Sequence, residues 1–441
     1  MNAFALFAVV GFGAVATPRV DIPYEKYVLP ENGLEVILSE DHSLPIVAVN
    51  IWYHAGPVNE APGRTGFAHL FEHLMFKGSK DVGDGEHMKM LDAAGASSLN
   101  GTTDFDRTNY FETVPKNVLP VALWAESDRM GYLLDTLTQQ KLDNQRDVVM
   151  NERRQSFDNV PYGPSDEALI HLLFPSGHPY YGNVIGSMQD LAAATLDDVK
   201  EFYRRYYAPA NATLAIVGDI DVAETKALVA KYFGTLARRA PPDAVQVTTP
   251  PLTQEKREVV KEPVQLPRIA MAWLSPAIFK PGDADCDVLS FILGGGRSSR
   301  LYQKLVYELQ LAQSVSASQE SLGLVSVFRV VVTARPGVDP KRLEAETQKV
   351  LEAMRATPPS AREIERARNQ LLTMKVGTLQ MVGGFGGKAD TLNTYNQYIQ
   401  DPGYLPKDIG RYEAVTPASV QEMARKVLAP DARAVVVTVA P

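Results

Sequence analysis

Apolar residues along this chain follow two different spacings. In "NGLEVILSEDHSLPIVAVNIWYHAG", from Asn32 to Gly56, they fill two short runs separated by the polar turn around Asp41. That pattern predicts two strands pairing antiparallel. In "PKNVLPVALWAESDRMGYLL" and "LDDVKEFYRRYY" they recur every three or four positions instead, which predicts amphipathic helices. Strands and helices alternate without a strict βαβ rhythm, so the expected class is α+β, with mainly antiparallel sheets flanked by helices.

An internal repeat organises these elements. "TLDDVKEFYRRYYAPANATLAIVGD", from Thr195, aligns without a gap to "TPASVQEMARKVLAPDARAVVVTVA", from Thr416. Thr195 meets Thr416, Val199 meets Val420, Arg204 meets Arg425, and Ala208-Pro209 meets Ala429-Pro430. Each copy reads as a helix stopped by proline and followed by a β-branched strand. Two copies predict two homologous halves, a division that fits 441 residues, too many for one ordinary core. Between them, Pro241-Pro242 and Pro250-Pro251 mark a semi-rigid linker. The expected segments are 22–238, 239–256 as linker, and 257–441. Residues 1–21 hold an apolar run, Ala3 to Ala16, that leaves through "AVA" like a secretory signal, although no Lys or Arg precedes it. The run falls short of the roughly 20 residues a membrane span needs. Export to the periplasm, with no stable membrane anchor, is the expectation, and a cytoplasmic chain with a partly buried N-terminal strand or helix is the alternative.

Charge and cysteine content narrow the partners. The net charge is −8 with no clustered basic stretch, which argues against nucleic acid as a partner. Cys286 stands alone, so no intrachain disulfide forms and no cysteine cluster holds metal.

The chemistry gathers in the first half. All seven histidines fall at or before His178, and "GFAHLFEHLMFKGS" sets His69 and His73 four residues apart in an apolar stretch. On a helix this spacing stacks the two imidazoles one turn apart, with Glu72 on the same side. Imidazole suits Zn²⁺, and a neighbouring carboxylate suits the general base that deprotonates water. The order H-x-x-E-H is a zinc-peptidase signature in inverted form. A third ligand has to come from another element. Glu152, in "LDNQRDVVMNERRQSFDN", is one of several carboxylates that spacing allows, and it could equally be a surface partner of Arg153.

With these residues in view, the chain resembles the inverzincin peptidases of the pitrilysin family, a group that includes insulin-degrading enzyme and the mitochondrial processing peptidase. The likeness rests on His69-Leu70-Phe71-Glu72-His73, on Gly56 and Gly66 ahead of it, on "NERRQSFDN", and on "LGGGRSSRLYQKL" in the second half. It implies halves built on sheets of about six strands, closing into a chamber that admits peptides. It implies a Zn²⁺ ion held by His69, His73 and Glu152, with Glu72 as catalytic base. It also implies that "LNGTTDFDRTNYFETVP" holds an edge strand to which an extended substrate adds, with Asn100, Gly101 and Thr102 nearest the metal.

Two departures from the family pattern change the picture. Gln145 stands where a second glutamate precedes the ligand glutamate by seven residues, altering the surroundings of the metal site. Val306 and Gln313 stand where active single-chain members carry an arginine and a tyrosine that hold the substrate carbonyl, and neither can stabilise developing oxyanion charge as a guanidinium does. The expectation is a zinc-bearing subunit whose homologous partner supplies Arg and Tyr. The alternatives are a non-catalytic assembly subunit and a zinc-retaining peptide- or cofactor-binding scaffold. Two glycine-rich stretches, "GGGRSSR" and "GGFGGKAD", read as flexible turns, since the second lacks the first glycine and the Ser or Thr of a phosphate loop.

Overall fold

The computed structural model describes residues 20–441. Nearly all of the expected export segment, 1–21, lies outside them. Among the described residues no helix is long and apolar enough to cross a membrane.

The first half builds a six-stranded sheet from β1 (Glu25–Val28), β2 (Glu35–Glu40), β3 (Ile46–Tyr53), β4 (Ser97–Asp104), β5 (Arg107–Pro115) and β6 (Ala212–Gly218), in the order β1-β2-β6-β3-β5-β4. The second builds a five-stranded sheet from β7 (Lys256–Lys261), β8 (Arg268–Ser275), β9 (Ala312–Glu320), β10 (Ser326–Ala334) and β11 (Ala434–Val439), in the order β7-β11-β8-β10-β9. The repeat seen in the sequence is a repeat of topology. β6 lies parallel to β2 and antiparallel to β3, and β11 lies parallel to β7 and antiparallel to β8. Among the described residues the second sheet has no counterpart of β1, which leaves it one strand below the expected six.

One local expectation is corrected. β2 and β3 do not pair with each other, because β6, from far along the chain, inserts between them. Both of its neighbours are buried strands with apolar residues on both faces, so each needs a partner on either side. True hairpins do form at β4–β5 and β9–β10.

Each sheet borrows a covering helix from the other half. The helix Gly163–Leu173 places Leu169 and Leu173 on Ala270, Ala272, Ala434 and Val436 of the second sheet. Its Asp166 receives both Arg268 and Arg329 from that sheet. In return the helix Lys388–Ile399 sets Ala389, Leu392 and Tyr395 on Ile37, Ala48, Ala215 and Val217 of the first. A cut at the linker would strip each sheet of one apolar cover, so the halves depend on each other for burial.

The glycine-rich stretches are pinned rather than loose. Gly294 ends the helix Asp283–Gly294 so close to β9 that a Cβ would fall 2.1 Å from the Ala317 nitrogen. Gly383 lies against β3 and β5, where a Cβ would meet Thr113 Oγ1 at 2.4 Å.

Candidate active site

The helix Phe67–Leu74 carries the two histidines. Phe67, Leu70, Phe71 and Leu74 bury one side of it, which leaves His69, Glu72 and His73 to face β4 and the helix Gln139–Arg153. Its start is fixed by Gly66, whose φ of +86° only glycine adopts readily. A Cβ there would sit 2.4 Å from the Ile185 carbonyl oxygen. Glu60 accepts from the N–H groups of Gly66 (2.9 Å) and Ala68 (2.8 Å), a carboxylate placed where a helix start offers free donors.

Glu152 sits in the last turn of Gln139–Arg153, just before the backbone widens into a π-helical turn over Arg154–Asp158. Its Oε1 lies 3.7 Å from His69 Nε2 and its Oε2 lies 3.3 Å from His73 Nε2. Among the described residues these three form the one cluster of His, Cys, Asp or Glu whose ligand atoms all lie within 4.8 Å of one another. Two atoms each bonded at 2.0–2.2 Å to a tetrahedral ion would be roughly 3.3–3.6 Å apart. The observed spacing and the nitrogen and oxygen donors both fit a zinc-sized cation.

Protonation agrees with that fit. Burial, reinforced by His73, drops the His69 imidazole to about 4, so it is neutral near pH 7, the form that binds metal. The hydrogen bond from His73 holds the Glu152 carboxyl below its usual range. Burial raises Glu72, opposed by the Thr103 hydroxyl that donates to its Oε2 at 2.6 Å.

Among the described residues β4 is the terminal strand of its sheet and pairs only with β5. Gly101 and Thr102 line an open cavity of about 250 Å³ together with His69, Glu72 and Glu152. Asn100 does not line it; it stands one position earlier, exposed, opposite Phe111. Gln145 is buried on the glutamate helix and also lies outside the cavity lining. Val306 is packed into the second core, and Gln313 is exposed on β9. Of the residues close by in sequence, Arg300 is locked to Glu363 and Tyr307 is 71% exposed, and neither lines the cavity.

Sequence reasoning missed Thr103, Phe157, Val184 and Ile185, which complete the cavity. Thr103 had a signal: with a strand period of two it faces the same side as Gly101. The loop residues had none. Asp106, at the tip of the β4–β5 hairpin, was also missed. Its carboxylate accepts from Tyr180 (2.5 Å), the Gly323 N–H (2.7 Å) and Tyr398 (3.1 Å), so both halves anchor the strand beside the cavity.

The fold and this cluster define a chain of two related α+β halves, one carrying a three-residue site of metal-binding type. The family model described as "Insulinase (Peptidase family M16)" matches residues 35–170, and that described as "Peptidase M16 inactive domain" matches 193–371. The chain belongs to the M16 peptidase family. It is 30% identical to the zinc protease PqqE of Helicobacter pylori over 81% of each chain. It is 24% identical to the uncharacterized zinc protease YmxG of Bacillus subtilis, over 77% of this chain and 81% of that one. A protease structure from Helicobacter pylori superposes with a TM-score of 0.88 at 26% identity, over 96% of this chain and 100% of that one. The periplasmic protease PqqL of Escherichia coli shares the fold with a TM-score of 0.77 at 18% identity, over 96% of this chain but 48% of its own length.

Proposed function

We propose that this chain is a zinc-dependent endopeptidase that hydrolyses peptides or unfolded polypeptides, with His69, His73 and Glu152 holding the ion and Glu72 acting as general base. The observation that carries the reading is the convergence of two imidazoles and a carboxylate beside an ionisable glutamate at the free edge of a sheet. The names of the relatives, zinc proteases, support the choice of metal.

Bound Zn²⁺ would supply Lewis acidity to the scissile carbonyl and to the attacking water. The chain's own residues do the rest. β4 offers backbone N–H and C=O groups to an extended peptide, which gives affinity without reading side chains and lays the cleaved bond over Gly101 and Thr102. Glu72, oriented by the Thr103 hydroxyl, takes the water proton and later returns it to the leaving amine. Arg107, whose Nη1 donates to the Thr102 carbonyl at 3.0 Å, stiffens the strand and favours the ionised form of Glu72.

The chain works in this reading beside a homologous partner that provides the Arg and Tyr absent at Val306 and Gln313. The burial of Val306 and the ion pair that holds Arg300 support that dependence. So does the length of PqqL, which is enough for two such units. Export to the periplasm is part of the same proposal, resting on the N-terminal apolar run and on the periplasmic location stated for PqqL. The test is metal analysis and peptide hydrolysis of the wild type and Glu72→Gln, each with and without the homologous subunit. One zinc per chain in both proteins is expected, with cleavage reduced by about 10²- to 10⁴-fold in the variant. Absence of stoichiometric metal, or full activity of the variant, rejects the assignment; full activity of the wild type alone rejects only the partner.

A further inference from the structure

The loop "GGFGG", Gly383 to Gly387, stands beside the proposed substrate strand yet belongs to the other half of the molecule. It is built to hold one shape. A Cβ on Gly383 would fall 2.4 Å from Thr113 Oγ1 and 2.7 Å from Ala48 Cβ, and one on Gly387 would fall 2.3 Å from the Gly383 carbonyl oxygen. Gly384 and Gly386 take φ values of +74° and +68°. The Gly386 N–H donates to Asp390 at 2.9 Å, and the Lys388 and Ala389 N–H groups close the loop onto Met381 and Val382.

What this rigid turn displays is a phenyl ring. Phe385 is 60% exposed, with its ring edge-on to Phe111 at 5.2 Å between centroids. Phe111 is the β5 residue opposite Asn100, and Gly384 approaches Ser98, where β4 bulges and exposes both Ser97 and Ser98. The ring therefore lies over β5 on the sheet face that Asn100 and Thr102 share, about 7 Å along the strand from Thr102. Gly101 and Thr103 turn to Glu72 on the opposite face. An added strand alternates its side chains between the two faces, so some of them point to the ring's side. Leaving the ring mostly in water forgoes the roughly 1.5–3 kcal/mol that its burial would contribute, and among the exposed apolar side chains Phe385 is set apart by the rigid turn that holds it beside β4.

We propose that Phe385 forms a side-chain subsite beside β4, selecting peptides with an aromatic or branched apolar residue one or two positions from the cleaved bond, toward the N-terminal end of β4. The inference rests on reading β4 as the strand that a peptide joins. It makes the second half a contributor to specificity through a residue of this chain, independent of any partner subunit.

Binding separates this inference from the peptidase assignment. Fluorescent decapeptides carrying Phe or Ser at successive positions are titrated against the full-length Glu72→Gln chain, and against the same chain with Phe385→Ala or Phe385→Leu. Roughly tenfold tighter binding of Phe at one position is expected in the parent, a preference below about twofold with Phe385→Ala, and most of it kept with Phe385→Leu. A preference unchanged by Phe385→Ala, or no measurable binding of any peptide, overturns the subsite. A Phe385-dependent preference in a chain whose wild type hydrolyses no peptide even beside the homologous subunit overturns the peptidase assignment and leaves the subsite standing.

Discussion

Gly101→Ala probes how tightly Glu72, the proposed base, is held. A Cβ at this position would stand 3.0 Å from Phe76 Cε2, 3.1 Å from Glu72 Cγ and 3.1 Å from Tyr110 Cδ1. Carbon atoms rest at about 3.5–4.0 Å, so something must retreat by roughly half an ångström. Tyr110 is fully buried, packed edge-on to Phe76 at 5.7 Å, and the Arg129 guanidinium lies over both rings at 4.3 and 5.2 Å. Glu72, which faces the open cavity, is the group free to yield. Overpacking of this size costs about 1–2 kcal/mol of stability. The larger effect is on geometry: a base pushed away from the water it must reach loses about 10- to 100-fold in kcat. The three atoms nearest the new methyl belong to Phe76, Glu72 and Tyr110 and not to His69, His73 or Glu152, so bound metal should remain stoichiometric. The assay is steady-state hydrolysis of a quenched peptide beside metal analysis and urea denaturation of the same preparations. A folded, metal-loaded Gly101→Ala protein with wild-type kcat would refute the placement of Glu72 as the base.

Two further substitutions test the scaffold. Gly66→Ala forces a side chain into a left-handed conformation and against the Ile185 carbonyl, so a loss of about 3 kcal/mol is expected from urea unfolding, together with weaker zinc retention under chelator. Unchanged stability would show that the start of the helix tolerates what its geometry forbids. Glu363 tests pH dependence in the second half. Burial alone would raise its carboxyl, but Arg300, at 2.7 and 3.1 Å, and the Ser360 N–H hold it at about 2. A carboxyl lowered by folding stabilises above its unfolded value, near 4.3, and loses that contribution as pH falls toward 2. Glu363→Gln should cost about 1 kcal/mol at pH 7, an allowance reduced for solvent screening, and the gap should narrow between pH 5 and pH 3. A gap independent of pH would place the stabilisation elsewhere.

What the chain's own spacing determined is local. The four-residue step from His69 to His73 fixes a shared helix face, and the Ala-Pro exits at Pro209 and Pro430 fix two equivalent helix-to-strand junctions. Such features were legible because neighbours along a helix or strand are placed by backbone geometry alone. The tertiary structure decided everything that requires a distant partner. β2 and β3 carry the signature of a hairpin, yet β6 separates them, because alternation tells a strand which face to bury and says nothing about which edge it will meet. Glu152 is one carboxylate among many until its helix packs across His69 and His73. Thr103, set on the side of Gly101 by the strand period, meets Glu72 only once the helix Phe67–Leu74 packs on β4, and the place proposed for Phe385 arises only when a loop from the other half reaches that sheet, a coincidence set by packing of whole elements.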